Sequence, residues 1–328
     1  MAERVLITGG AGFIGLHLTR RLLAEGARIT LVDDFSRGRR DDALRDIEGE
    51  VEVVRHDLTR QIPDGLLPGD FDAVYHLAAA VGVQQVTRDP GHVLRTNILA
   101  ATHLLDWCDR TGPGAVFLSS TSEFADGAAQ LGAAPLPTPE NAPFVLTRPH
   151  SARSSYALSK AVAELMLLQR ASSTRVRIGR YYNIYGPRMG NAHVIPQFIE
   201  RVVKGVHPFT VYGGDQTRAF CYVDDAVDAT VRLMRLPTDA PLVVNIGNDQ
   251  EELAMTELAR RLLALAGARP ELDVRDAPEN SPARRLPDLT TLRRLLPDWR
   301  PMDLDSGLRA MLDWYGAPLA TPSPEASR

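Results

Sequence analysis

Tyr156 and Lys160 stand four residues apart. In a helix that spacing puts a phenol and an ammonium on one face. A phenol is a poor base at its ordinary pKa, and a fixed cation beside it stabilises the phenolate and lowers that pKa. Such a pair is suited to taking a proton from a hydroxyl group. Upstream, Ser119-Ser-Thr-Ser-Glu123 places hydroxyls and a carboxylate at the end of an apolar run. Tyr-x-x-x-Lys by itself is also common on surface helices, so its surroundings decide the reading.

The elements that must position these groups start near the N-terminus. Val5-Leu6-Ile7 reads as a buried parallel strand. It breaks into glycines, and Ile14, Leu18 and Leu22 then recur at helical spacing. Gly10-x-Gly12-x-x-Gly15 fits the dinucleotide fingerprint, and Gly9-x-x-Gly12-x-x-Gly15 fits the shorter spacing of one branch. The first glycines let the chain turn and approach a pyrophosphate, and the last lets the helix pack closely on the strand. The helix N-terminus offers free N–H groups to the phosphates. A second strand, 28–33, ends in Asp33, placed to bond an adenosine ribose and to repel a 2′-phosphate. That favours NAD over NADP, although Arg37, Arg39 and Arg40 stand nearby as groups able to hold that phosphate.

Beyond this unit, strands are expected at 51–57, 71–79, 115–118 and 176–181, alternating with helices near 41–47, from Thr96-Asn97 onward, and over 156–171. The alternation predicts an α/β fold, a Rossmann-like doubly wound parallel sheet with right-handed crossovers. Ser154-Ser155 is the expected cap of the helix that carries Tyr156. The segment 126–153 is proline-rich and aperiodic, which suits a lid or binding loop or a plain surface excursion. Past Asn183 the pattern turns irregular. Residues 1–182 are read as the NAD-binding domain, with 219–247 returning to it, and 183–316 as a smaller, interleaved C-terminal α/β substrate lobe. Residues 317–328, rich in Pro, Ala and Ser, are expected to be a disordered tail.

The 328 residues carry a formal net charge of −4, with 44% hydrophobic and 24% charged side chains, which excludes a basic nucleic-acid binder and suits a soluble globular protein. No apolar stretch is long enough to span a membrane. The first strand begins at once, so no signal peptide is expected. The two cysteines, Cys108 and Cys221, fit neither a disulfide framework nor a metal site, which suits a reducing cytoplasm.

Taken together these pieces resemble the extended short-chain dehydrogenases/reductases of the nucleotide-sugar epimerase/dehydratase type. The resemblance rests on Thr8-Gly-Gly-Ala-Gly-Phe-Ile-Gly15, Asp57-Leu58, His76-Leu-Ala-Ala79, Asn97, Ser120-Thr-Ser-Glu123, Tyr156-x-x-x-Lys160 and Arg180-Tyr-Tyr-Asn-Ile-Tyr-Gly-Pro-Arg188. It continues through Thr210-Val-Tyr-Gly213, Gln216-Thr-Arg-Ala-Phe-Cys-Tyr-Val-Asp-Asp225, Asn245-Ile-Gly-Asn248 and Arg284-Arg-Leu-Pro-Asp288. It implies an NAD site built from Gly9, Gly12, Phe13, Ile14, Gly15, Asp33, Asp57, Leu58, Leu77, Ala78, Ala79, Asn97, Tyr156 and Lys160. It implies that Tyr156 takes a proton from a sugar hydroxyl, usually at C4, and that C4 passes hydride to NAD. Lys160 would lower the pKa of Tyr156, and Thr121 would bond the reacting oxygen. Ser122, Asn183, Val194, Tyr212, Arg218 and Arg285 would hold the sugar, the diphosphate and the base. Arg218 has a plainer alternative, a pair with Asp224 or Asp225. Homodimerisation through the helices near 97–109 and 156–171 is implied as well.

Three reactions share the C4 oxidation. A 4-epimerase turns the ketosugar and returns hydride to its other face. A UDP-glucuronate decarboxylase loses the carboxylate β to the ketone. A 4,6-dehydratase needs an Asp-Glu pair after the catalytic Thr, and here the pair is Ser122-Glu123. Thr121-Ser-Glu123 and Gln216-Thr-Arg-Ala-Phe resemble the decarboxylase pattern. Ala80-Val-Gly-Val-Gln-Gln85 resembles epimerase-like relatives, and Phe124-Ala125-Asp126 replaces the family's Val-Tyr-Gly. The leading expectation is a nucleotide-sugar 4-epimerase, ahead of a decarboxylase, then a dehydratase or an NAD-binding sensor without turnover.

Overall fold

The computed structural model describes residues 2–278 and 281–316; the tail expected at 317–328 lies outside the described residues. The first half runs β1 (Arg4–Thr8), α1 (Phe13–Ala24), β2 (Arg28–Asp33), α2 (Asp42–Glu48), β3 (Glu52–Arg55) and β4 (Ala73–His76). It continues through α3 (Val83–Arg88), α4 (Pro90–Thr111), β5 (Ala115–Thr121), α5 (Asp126–Gln130), α6 (Ala152–Leu168) and β6 (Arg175–Tyr181). The second half is more broken: β7 (Ile184–Tyr185), α7 (Val194–Val203), β8 (Phe209–Tyr212), β9 (Thr217–Arg218), β10 (Cys221–Tyr222), α8 (Val223–Met234) and β11 (Leu242–Ile246). It ends with β12 (Leu253–Ala254), α9 (Met255–Leu265), β13 (Leu272–Arg275), β14 (Arg284–Arg285), α10 (Thr290–Leu295) and α11 (Leu304–Trp314).

Seven strands form one sheet in the order β11-β6-β5-β4-β1-β2-β3, every pair parallel. The inner strands are buried on both faces, their residues alternating between two cores, while edge strand β3 stays partly exposed. Val5 and Ile7 of β1 enter one core, with α1, while Leu6 enters the other, with α4 and α6. Two-sided cover by helices is the doubly wound arrangement, and it leaves the C-terminal ends of β1, β4 and β5 open at one edge for a ligand.

Several local expectations are corrected. Helix α4 begins at Pro90 rather than at Thr96-Asn97: Asp89 caps it by accepting from the His92 amide at 2.9 Å, and proline suits the first turn, where no N–H is needed. Residues 83–85 of the epimerase-like segment 80–85 belong to α3. Ser154 and Ser155 do not cap α6. They lie in its first turn and donate to the Arg148 and Ala152 carbonyls. The proline-rich segment after α5 is stitched to the far end of the chain, since the Thr138 amide donates to Leu286 O and Thr138 O accepts from the Asp288 amide, both at 2.9 Å. That stitch carries Arg285 to the site.

Arg188 clasps the two halves together. Its backbone sits at φ +69°, and its side chain is 5% exposed. The guanidinium donates to both Asp41 oxygens (2.7 and 3.0 Å) and to the carbonyls of Ala11, Gly12 and Arg39 (2.7–2.8 Å). The glycine turn is thus held by a residue from beyond β7. Arg188→Met strands a carboxylate and three carbonyls, so it is expected to lower stability by about 3 kcal/mol. It is also expected to weaken NAD retention, checked by urea unfolding and by NAD release. Unchanged values in both would show that the clasp is incidental.

Candidate active site

The glycine turn leaves no room for side chains. Gly9 sits at φ +72°, and a Cβ there would lie 2.7 Å from the Ala78 amide nitrogen. A Cβ on Gly15 would lie 2.2 Å from the Gly9 carbonyl oxygen. Any larger residue would push α1 off the strand and fill the cradle where a pyrophosphate meets a helix N-terminus. Phe13 and Ile14 open α1 and pack against the core. Gly12 continues the turn, its amide donating to Gly9 O at 3.0 Å. Asp33, at the end of β2, accepts from the amides of Ala11 (3.0 Å) and Phe35 (2.9 Å). Two accepted bonds leave lone pairs on this carboxylate for ribose hydroxyls. Burial raises its pKa while those amides lower it. A compact backbone cradle with an acidic residue at the next strand fits a dinucleotide.

Beside the cradle, Leu77 and Ala78 are tied to Thr8 through its carbonyl and hydroxyl oxygens, and Ala79 follows them. Asp57 accepts from the Thr59 amide at 2.9 Å, so it shapes its own turn, and Leu58 is buried in the second core. Asn97, expected as a cofactor contact, is otherwise engaged. Its amide group donates to Ala80 O and Ser159 Oγ, both at 3.0 Å, and its oxygen accepts from the Ala80 amide at 2.7 Å. Both donors are spent in tying the loop after β4 to α6, so Asn97 positions the helix that carries Tyr156.

Tyr156 packs against Ala80, Val86 and Val93 and shares a hydrogen bond with Thr121, the last residue of β5. Burial and Glu123 push the phenol up, while Arg37, that hydrogen bond and Arg285 pull it down. The protein alone therefore leaves the phenol a weak base. Lys160, one turn on, is 3% exposed, and burial lowers its pKa to about 8 against the pull of Glu164. Arg37, considered from sequence only as a partner for a 2′-phosphate, instead acts on Tyr156 and His193. No spacing signal could have found that contact.

The residues expected to face the sugar lie at the end of β5 and in β14. Glu123 follows Thr121, and its amide donates to Thr121 Oγ1 at 3.2 Å. Ser122 is buried at 4%. Burial and Asp126 push the Glu123 carboxyl up, while Arg285 and Arg153 oppose them. Strand β14 pairs with β9 so that Arg285 lies directly opposite Arg218. This register brings two guanidinium groups together, and burial and Arg285 depress Arg218 to about 10. Arg218 pairs with neither Asp224 nor Asp225; it donates to the carbonyls of Thr217, Pro282 and Ala283. Arg285 binds Asp126, and Arg284 binds Glu252 instead of facing the site.

The other expected ligand residues are more dispersed. Asn183 has φ +43° and donates to Ala219 O at 2.9 Å. Val194 opens α7, half-buried against the core. Tyr212 is 46% exposed at the end of β8. Phe124 stands where the family pattern has valine, and the aromatic lost at Ala125 is not replaced in the cleft: the Phe124 ring packs 3.6 Å from the Arg180 guanidinium and 5.2 Å from Phe144. Among the described residues, no group of three or more His, Cys, Asp or Glu could hold a metal ion, and no helix is long and apolar enough to cross a membrane.

Residues 5–247 match the model of the family described as the NAD dependent epimerase/dehydratase family. The chain is 32% identical over 321 residues to UDP-glucuronic acid decarboxylase 1 of Xenopus tropicalis, covering 95% of this chain and 72% of that protein. Among solved structures it resembles an NAD dependent NDP-hexosamine 5,6-dehydratase involved in tunicamycin biosynthesis, with a TM-score of 0.82, 31% identity, and coverage of 96% and 98%. It also resembles the Thermus thermophilus UDP-glucose 4-epimerase in complex with NAD, with a TM-score of 0.79, 27% identity, and coverage of 95% and 99%.

Burial of Lys160 has a measurable consequence. Its folded pKa of about 8 lies below the ordinary 10.5, so the unfolded chain holds a proton that the folded one releases between those values. The burial cost is full below pH 8 and is relieved as pH rises to 10.5. Relative to Lys160→Met, the cofactor-free wild type is expected to gain up to roughly 3 kcal/mol across that window. Urea unfolding at several pH values checks this; a difference independent of pH would contradict it.

Proposed function

Because the chain belongs to the NAD dependent epimerase/dehydratase family, with NAD as cofactor, we propose that it decarboxylates a nucleotide-linked hexuronate by way of a 4-keto sugar. The observation that carries this reading is Glu123: a partly buried carboxyl with a raised pKa, acting on Tyr156 and 3.9 Å from Arg285. Held at the glycine turn and Asp33, NAD would supply the acceptor for a hydride from C4 of the sugar and the donor that returns it. Tyr156 removes the C4 hydroxyl proton, and Thr121 holds the same oxygen. Lys160 supplies the positive charge that a phenolate needs in a buried site.

A ketone at C4 makes the C6 carboxylate a β-keto acid. The C5–C6 bond breaks, CO2 leaves, and the electron pair moves onto the C4 oxygen as an enolate. C5 must then regain a proton, and Glu123, whose carboxyl burial pushes toward the protonated form, is the group placed to relay it, directly or through water. Arg285 and Arg218 offset the negative charge of the diphosphate and the sugar. The identity to UDP-glucuronic acid decarboxylases over nearly the whole chain supports the same reading.

One feature favours a second reading, 4-epimerisation of a neutral sugar. Asp126 already engages Arg285, so this pocket offers less to a carboxylate than Glu123 and Arg285 alone would. Dehydration at C6 has weaker support. Ser122 stands where its proton donor would be, and Asp126 is committed to a guanidinium.

The test is a mass spectrum of products after the NAD-loaded protein meets UDP-glucuronate, UDP-glucose and dTDP-glucose in turn. Loss of CO2 from UDP-glucuronate is expected. Glu123→Gln is expected to slow it by about a hundredfold or more while UDP-glucuronate still binds. An unchanged mass with a new isomer would establish the epimerase instead, and loss of water would contradict both.

A further inference from the structure

The sugar end departs from the family pattern at Phe124-Ala125-Asp126, and Asp126 is the departure with charge. It opens α5 with its side chain 22% exposed. Arg285 grips it with both arms of the fork, Nε to one oxygen at 3.3 Å and a terminal nitrogen to the other at 2.5 Å. Glu123 lies 3.9 Å from the same guanidinium. Two carboxylates therefore face the Arg285 guanidinium, with Arg218 beside it and Arg153 also acting on Glu123, at the wall of a cleft lined as well by Phe144, Thr147 and Ala157.

Asp126 has little freedom to withdraw. The next residue, Gly127, packs so closely that a Cβ would lie 1.8 Å from the Val145 carbonyl oxygen. Turning α5 would therefore have to move the segment behind it. Arg285 is held as well, by its register opposite Arg218 and by the Thr138 stitch beside it.

We propose that Asp126 determines the specificity of the sugar end, acting as an internal carboxylate that competes with an anionic sugar substituent for Arg285. This rests on the reading that Glu123, Tyr156 and Arg285 face the sugar. A guanidinium presents a planar fork that one carboxylate fills bidentately. A uronate must displace Asp126 from the Arg285 fork or settle beside a carboxylate that already fills it, and like charges at such range repel. A neutral hydroxymethyl group meets no such competitor. Glycine, which the family pattern has at this place, leaves the fork open. Position 126 thus sets how strongly the pocket prefers an acidic sugar over a neutral one.

The test measures binding without turnover, by calorimetry on NAD-loaded Tyr156→Phe protein, alone and combined with Asp126→Asn or Asp126→Gly. The ligands are UDP-glucuronate and UDP-glucose. The ratio of the two dissociation constants is expected to move toward UDP-glucuronate by about tenfold or more in both Asp126 variants, with UDP-glucose affinity nearly unchanged. A ratio that stays put or moves toward UDP-glucose would overturn the assignment. So would loss of UDP-glucose binding in both variants, which would make Asp126 a support for the pocket rather than a selector. A Tyr156→Phe protein that binds neither sugar would sink the site reading itself, and the assignment with it. A protein whose binding ratio shifts as expected but which releases no CO2 would keep the assignment and lose the decarboxylase.

Discussion

A buried ammonium has to be compensated, and the centre of this molecule is arranged around that requirement. Lys160 lies at 3% exposure inside α6. One turn further, Glu164 is 2% exposed and raises the Lys160 pKa against burial. Glu164 is held in turn by Ser120 of β5 and by Arg180 of β6, whose guanidinium donates to both of its oxygens at 2.8 and 3.0 Å. Arg180 continues to the Glu140 carbonyl and covers the Phe124 ring. A strand end, a helix and the proline-rich segment are thus tied to one charge network. A network of this kind is stable only when every member is satisfied, which fixes the geometry of the groups at its mouth.

The mouth is where chemistry is placed. Thr121 and Tyr156 meet there because β5 ends against α6, and Asn97 fixes that helix to the loop after β4. The same edge of the sheet carries the glycine cradle, since β1 lies beside β4. The C-terminal part of the chain reaches this edge by two routes. Arg188 holds the cradle from one side, and the β9–β14 register delivers Arg218 and Arg285 from the other. The fold therefore brings the glycine cradle, the Thr121–Tyr156 pair and the guanidiniums of Arg218 and Arg285 toward one end of the sheet.

Most of the parallel sheet was legible in the sequence. Buried strands such as Val5-Leu6-Ile7 and Ala115-Val-Phe-Leu118 are continuous apolar runs, and the glycine spacing has few other uses. The two-residue strands β9, β12 and β14 were not legible, because two residues carry no period. Helix α11 was missed too, although Asp303 caps it by accepting from the Ser306 amide at 2.9 Å. Within the candidate site, Thr121 and Glu123 stand in one short stretch and Tyr156 and Lys160 in another, so they could be named from sequence, and the fold brings Thr121 and Glu123 to Tyr156. The partners of Arg218 and Asp126 could not be named in that way. Arg218 stands close in sequence to Asp224 and Asp225 but spends its donors on carbonyls, and Asp126 meets an arginine 159 residues away. Pairings over such separations are set by the packing of whole elements, and no residue pattern encodes them.

The central claim is that oxidation and reduction both occur at C4 of one sugar, with Tyr156 moving the hydroxyl proton each way. The most direct measurement uses substrate carrying deuterium at C4 and reads where the label ends. The account requires the label to be retained at C4 of the product, with a slower reaction than for the unlabelled sugar whenever C–H cleavage limits the rate. Label lost to water, or found at another carbon, would contradict transfer at C4 and remove the basis for the roles given to Tyr156, Lys160 and Thr121.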